Sequence, residues 1–180
     1  MWLKFLNQDE LERIHFSSLK ILEEVGVLIH ERAFLEFLAH AGVNVDLDRK
    51  RAKIPSALIE ESLRKAPKHV TFYARDSKYD VEFDGEKMYT HPVGGAANVI
   101  DLDSGAVRPA TREDVENLTK IVDALPNIHT ATMIVYPNDV PERMKDIYAV
   151  EAILRNTVKN FDATPYTDES FPFIIKMIEA

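Results

Sequence analysis

The segment "IHTATMIVYPNDVPERMKDIYAVEAILRNTVKNFDATPY", residues 128–166, decides the fold. It opens with an apolar run typical of a buried strand, and after Pro141 the apolar residues recur at helical spacing. A second short strand-like run covers residues 158–166, and residues 167–180 again have the pattern of a helix. Strand, helix, strand and helix in this order are typical of the βα units of a parallel sheet. The sequence therefore predicts an α/β fold with two consecutive βα units in this region.

Upstream lies "THPVGGAANVIDLDSG", residues 90–105, which holds three of the six glycines. The spacing of Gly94 and Gly95 does not match GxGxxG, and the stretch has no lysine, so a phosphate-binding loop is disfavoured. Two interpretations remain open: the glycines allow a tight turn between strands, or they let a ligand come close to the backbone. His91 has no other histidine at ligand spacing, so we interpret it as a hydrogen-bonded loop residue and predict no metal site.

The region before these glycines combines helices with short strands. Asn7 and Glu10 have the spacing of a capping box and predict a helix that runs to Gly26. Further patterns predict, in order, a helix over residues 32–41, a hairpin over residues 43–54 and a helix capped by Ser56 and ended by Pro67. Four short runs then predict β-strands: "HVTFYAR", "YDVEFD", "KMYT" and "NVIDL". Thr111 and Asp114 predict a second capping box, which opens a helix that ends at Pro126.

Composition excludes several classes of function. The chain has no cysteine, which excludes disulfides, a thiol nucleophile and a zinc site with sulfur ligands. Its 180 residues carry a net charge of −8 and no basic stripe interleaved with aromatic residues, so nucleic acid is disfavoured as a partner. No apolar segment has the length of a signal peptide or a membrane span. The sequence therefore predicts a soluble cytoplasmic protein without a membrane partner.

Blocks of sequence in a fixed order extend over nearly the whole chain. They are "LERIHFSSLKILEEVGVLIH", "AGVNVD", "IPSALIEESLRKAPKHVTFYARD", "GGAANVIDLDSGAVRPATREDVENLTKIVDALPNI", "DVPERMKDIYAVEAILRNTVK" and "TDESF". Together these blocks resemble the N-terminal part of the trimethylamine methyltransferase family, which includes corrinoid-dependent methylamine and glycine betaine methyltransferases.

The resemblance implies a truncated (β/α)8 TIM barrel. An N-terminal helical and antiparallel β region would occupy residues 1–110, and the first two βα units of the barrel would occupy residues 111–180. The implied activity is the transfer of a methyl group from trimethylamine, glycine betaine or a related quaternary amine to the cobalt of a corrinoid. The corrinoid is carried by a separate partner protein, so we expect no cofactor bound in this chain.

Six of the eight βα units of such a barrel and most of its strand-end residues are missing here, so we expect the isolated chain to be inactive. The unpaired edge of the second strand predicts a homo-oligomer. A second interpretation also remains: the chain is a non-catalytic, stand-alone binding or assembly module that retains the family's N-terminal fold. The open edge favours the enzyme.

Active sites of such barrels lie at the C-terminal ends of the strands. The candidates for substrate binding at the two predicted strand ends are Tyr136, Asn138, Asp139, Asp162 and Thr164. Asn98 joins them from the glycine stretch, and His91, Gly94 and Gly95 are expected in a loop at the barrel mouth. Tyr166 also lies at the end of the second predicted strand. Structural alternatives stay open for Tyr136 and Asn138, for Asp139 as a helix N-cap and for Tyr166 as a packed loop aromatic. Catalytic residues are expected beyond Ala180.

Overall fold

The structure, a computed structural model, describes residues 4–180. The chain divides into two compact units, Met1–Pro67 and Lys68–Ala180. The domain boundary predicted after residue 110 falls inside the second unit. The start of a barrel at this residue stays a prediction. Among the described residues, no helix has both the length and the apolar character that crossing a membrane requires.

The first unit packs three helices with a small antiparallel sheet. Its elements are α1 (Gln8–Lys20), β1 (Val27–Leu28), α2 (Arg32–His40), β2 (Asn44–Asp46), β3 (Arg51–Lys53) and α3 (Ser56–Lys65), with a π-helical turn (Ile21–Val25) after α1. The sheet has the order β1-β3-β2. The hydrophobic core of this unit contains Leu35, Val43 and Ala52. The capping box of Asn7 and Glu10 and the predicted hairpin are both confirmed.

The predicted cap of α3 is wrong. Pro55 occupies the N-cap position, and Ser56 is the first helical residue. The hydroxyl of Ser56 instead donates to the carboxylate of Glu23, in the π-helical turn. Proline has no side-chain oxygen that could accept a hydrogen bond, so no side chain caps α3.

The second unit begins with two antiparallel strand pairs and ends with three helices. Its elements are β4 (Val70–Phe72), β5 (Val81–Phe83), β6 (Asn98–Ile100), β7 (Val107–Pro109), α4 (Arg112–Ala124), α5 (Lys145–Asn156) and α6 (Phe171–Glu179). β4 pairs with β5, and β6 pairs with β7. The strand predicted for "KMYT" is absent: residues 87–90 form no strand, and the backbone of Thr90 bonds instead to His129.

Helix α4 opens with the predicted capping box. Thr111 and Asp114 exchange side-chain and backbone hydrogen bonds, and Arg108 in β7 donates to both carboxylate oxygens of Asp114 at 2.6 and 2.9 Å. The hydrogen bonds from Arg108 hold the pKa of Asp114 well below its usual value. This ion pair joins the hairpin of β6 and β7 to the start of α4.

The last two helices begin later than predicted. A short 3-10 turn (Glu142–Met144) precedes α5, and α6 starts at Phe171 with Ser170 in the N-cap position, rather than at Thr167. Residues 167–170 form a turn, in which the N–H of Ser170 donates to the carbonyl of Thr167. A proline directly inside α6 fits this later start.

The two predicted parallel strands are reduced to single bridges. Ala131 pairs in parallel with Phe161, and Val135 pairs in parallel with Ala96. The predicted side-by-side, parallel arrangement of the two segments is therefore present, but the described residues contain only small sheets and no closed barrel. Around these segments lies the main core, which α4, α5 and α6 cover with residues that include Val122, Val150, Ile153 and Ile174.

Candidate functional site

The glycine stretch lies directly beside the first predicted strand. Gly95 N–H donates to the carbonyl of Met133 at 2.9 Å, and Tyr136 N–H donates to the carbonyl of Ala96 at 2.9 Å. A Cβ atom on Gly94 would lie 2.7 Å from the carbonyl oxygen of Met133. Gly95 has a φ of +96°, and a Cβ atom there would meet the ring of Tyr136 at 3.4 Å. The small residues thus permit close approach of one backbone to another, and their placement at a barrel mouth stays a prediction.

Asn138 uses its side-chain amide entirely within the fold. Its Nδ2 lies 2.8 Å from the carbonyl of Ala97, 3.1 Å from that of Tyr136 and 3.3 Å from that of Ala110. Its Oδ1 accepts a hydrogen bond from Lys145 Nζ at 3.0 Å. Asn138 therefore links both ends of the β6–β7 hairpin to the first predicted strand, and its role here is structural.

Asp139 also has a partner inside the fold. Its Oδ1 accepts a hydrogen bond from the backbone N–H of Arg112 at 2.8 Å. Arg112 is the first residue of α4, so the carboxylate satisfies a free N–H at the helix start and lies at the positive end of the helix dipole. The structural alternative raised from the sequence was that Asp139 caps the helix that follows it. Asp139 instead contacts the start of α4, which precedes it in the chain.

Tyr136 and Tyr166 are brought together from the ends of the two predicted strands. Their ring centroids lie 4.6 Å apart, with the ring planes inclined at 39°. Burial, followed by the phenol of Tyr136, raises the pKa of Tyr166 above its usual value, so the phenol of Tyr166 stays protonated near pH 7. Two aromatic rings at the ends of adjacent segments offer π faces to a cation.

The other predicted residues are exposed. No hydrogen bond within residues 4–180 involves the side chains of Asp162, Thr164 or Asn98, although Asp162 N–H pairs with the carbonyl of Ala131. Asn98 stands in β6 opposite Pro109, and His91 is exposed. The contacts therefore unite Tyr136 with Tyr166 and Gly95, and they leave Asp162, Thr164, Asn98 and His91 as separate exposed groups.

Three buried charged residues were missed from the sequence: Lys145, which is 9% exposed, Asp146 and Lys159. Asp146 is 0% exposed, and Lys159 is 2% exposed. Lys159 Nζ donates to three carbonyls at and beyond the end of α4, those of Val122, Leu125 and Ile128. The signal for Asp146 was its position: it precedes Ala149, Val150 and Ile153 on the buried stripe of α5, where an apolar residue is expected.

Within the part of the chain that the structure describes, no group of three or more histidine, cysteine, aspartate or glutamate side chains could hold a metal ion. The chemistry available at the strand ends is therefore that of phenols, an amide, a hydroxyl and carboxylates. Such groups can bind and orient a small polar or cationic molecule.

A model of the trimethylamine methyltransferase family matches residues 2–180. The chain belongs to the trimethylamine methyltransferase family. The recognition from ordered sequence blocks is thereby confirmed.

Relatives of the chain in this family are 22–29% identical to it over the aligned residues. A trimethylamine methyltransferase from Desulfitobacterium hafniense is 29% identical over 97% of this chain and 35% of its own length. A glycine betaine methyltransferase from the same species is 29% identical over 87% of this chain and 32% of its own length. A trimethylamine methyltransferase from Methanosarcina mazei is 22% identical over 99% of this chain and 37% of its own length. The chain thus spans about a third of the length of these family members.

Proposed function

We propose that this chain is the N-terminal portion of a methyltransferase that transfers a methyl group from a methylated amine to the cobalt of a corrinoid carried by a separate protein. The observation that carries the proposal is the family match over residues 2–180, together with relatives named for trimethylamine and glycine betaine. In this proposal, the segments around Ala131 and Phe161 are the first two strands of a TIM barrel, and the barrel begins after residue 110.

The reaction sets clear demands on the protein. The reduced corrinoid supplies the nucleophile, and the C–N bonding pair leaves with nitrogen, so a quaternary ammonium substrate departs as a neutral amine. The protein must therefore hold a soft cation and point one methyl group towards the corrinoid. Tyr136 and Tyr166 suit the first task, because their aromatic rings are in contact at the ends of neighbouring parallel segments. Asp162, Thr164 and Asn98 are exposed polar groups that can contribute to orientation.

A binding and turnover experiment on the full-length protein tests this function. Calorimetry with glycine betaine and with trimethylamine should detect binding of at least one of them, and the reduced corrinoid protein should become methylated. ATP is the matched negative ligand, because the glycine stretch lacks the spacing of a phosphate loop. Nucleotide binding without any response to methylated amines would overturn the proposal, and amine binding without methyl transfer would favour the non-catalytic module.

A further inference from the structure

We propose that Asp146 is a positioning residue that holds Tyr166 against Tyr136 and thereby shapes the aromatic surface that receives the methylated ammonium group. The inference rests on the proposed function for its ligand, and on the contacts of Asp146 for its mechanism. Asp146 is fully buried in the first turn of α5.

The carboxylate of Asp146 is held by neutral donors. Its Oδ1 accepts from the N–H of Ile147 at 2.9 Å, and its Oδ2 accepts from the N–H of Tyr166 at 2.7 Å and from the hydroxyl of Ser170 at 2.5 Å. The adjacent cation, Lys145, points elsewhere, to Glu142 at 2.6 Å and to Asn138. The start of a helix is a favourable place for such a carboxylate, because the dipole of α5 stabilises negative charge there.

The contacts of Asp146 lie on the loop between the second predicted strand and α6. Tyr166 begins this loop and Ser170 ends it, so one carboxylate oxygen holds both ends. Ser170 occupies the N-cap position of α6 but makes no capping hydrogen bond with its side chain. Its hydroxyl donates to Asp146, and its oxygen accepts from the N–H of Thr167 rather than from an N–H of its own helix.

The tyrosine pair is consequently fixed on both sides. The backbone of Tyr136 is held by the carbonyl of Ala96, and the backbone of Tyr166 is held by Asp146. A cation gains most from aromatic faces that are already in place, because ordering them on binding reduces the affinity. Loss of the Asp146 contact should therefore weaken binding of the amine without altering the chemical step.

The test compares Asp146→Asn with Asp123→Asn in the full-length protein. Asp123 is a matched control, since its Oδ1 also accepts from one hydroxyl, that of Thr157, and from one backbone N–H, that of Val158. We expect Asp146→Asn to raise the KM for the methylated amine about tenfold with kcat within about twofold. Asp123→Asn should leave both constants unchanged. An unchanged KM in Asp146→Asn, with a fall in melting temperature like that of the control, would overturn the proposal.

Two further measurements keep the proposal testable in every case. If Asp146→Asn does not fold, Ser170→Ala removes one donor and should raise KM about threefold, and an unchanged KM would then refute the role. Near-UV circular dichroism of the 180-residue chain is independent of catalysis: Ser170→Ala and Asp146→Asn should lose the tyrosine signal that Tyr166→Phe also loses. If the wild type binds no methylated amine, the proposed function fails, while the dichroism result still decides whether Asp146 positions Tyr166.

Discussion

Replacement of Gly94 by alanine should destabilise the second unit, because the new Cβ atom has no room. It would lie 2.7 Å from the carbonyl oxygen of Met133 and 3.1 Å from Oγ1 of Thr132. A glycine-to-alanine change in open space stabilises a protein by about 0.4–1 kcal/mol through the unfolded chain. Here the gain is outweighed by overpacking against backbone, which is typically worth about 1–3 kcal/mol. Displacement of this segment also weakens the adjacent hydrogen bond from Gly95 to Met133, worth about 1 kcal/mol. We expect a net loss of about 1–3 kcal/mol.

Urea unfolding of the 180-residue chain, followed by far-UV circular dichroism, measures this loss. Val93→Ala is the matched control, because Val93 precedes Gly94 and is 88% exposed. Its replacement should change the free energy of unfolding by less than about 0.5 kcal/mol. A Gly94→Ala variant as stable as the wild type would mean that the glycine segment does not lie against the strand around Met133, and the site built on that pairing would be wrong.

Four further substitutions probe the ion pair, the buried lysine and the two asparagines. Asp114→Asn should destabilise the chain at neutral pH, and because Arg108 lowers the pKa of Asp114 in the folded state, the difference from wild type should shrink as the pH falls from about 5 to about 2.5; a difference independent of pH in urea unfolding would contradict this. Lys159→Met leaves three carbonyls without their donor and should lower the free energy of unfolding by about 2–4 kcal/mol; a loss below about 1 kcal/mol would show that water replaces the amine. Asn138→Ala should lower the melting temperature, whereas Asn98→Ala should leave it unchanged and reduce methyl transfer by the full-length enzyme at least about tenfold; early melting of Asn98→Ala with intact turnover would assign Asn98 to the turn alone.

Features set by neighbours in sequence were predictable. The capping boxes at Asn7 and at Thr111 depend on residues three positions apart, and the hairpin over residues 43–54 depends on strict alternation around a charged turn. Both patterns reflect local hydrogen bonds, so they can be seen without knowledge of the fold.

The contacts that define the site join distant parts of the chain. Asn138 contacts the carbonyl of Ala97, and Lys159 contacts that of Val122. Neither partner is a side chain, so no sequence pattern marks it. For the same reason the roles of Asn138 and Asp139 inside the fold could only be raised as alternatives. Tyr136 and Tyr166 were both placed at strand ends, but their contact was not predicted. The length of the two parallel strands was predicted wrongly for another reason. An apolar run indicates burial but does not fix how many residues pair.

The parallel bridge between Ala96 and Val135 also sets an order of folding. The hairpin of β6 and β7 and the whole of α4 lie between these two residues in sequence, so the bridge closes a long loop. Closing a long loop costs chain entropy, so we expect this contact to form after local helices and hairpins. During synthesis, residues 94–96 must therefore leave the ribosome and wait until the segment around Val135 has followed. The glycine stretch thus reaches its final contacts late, because the segment around Val135 that it pairs with is synthesised after it.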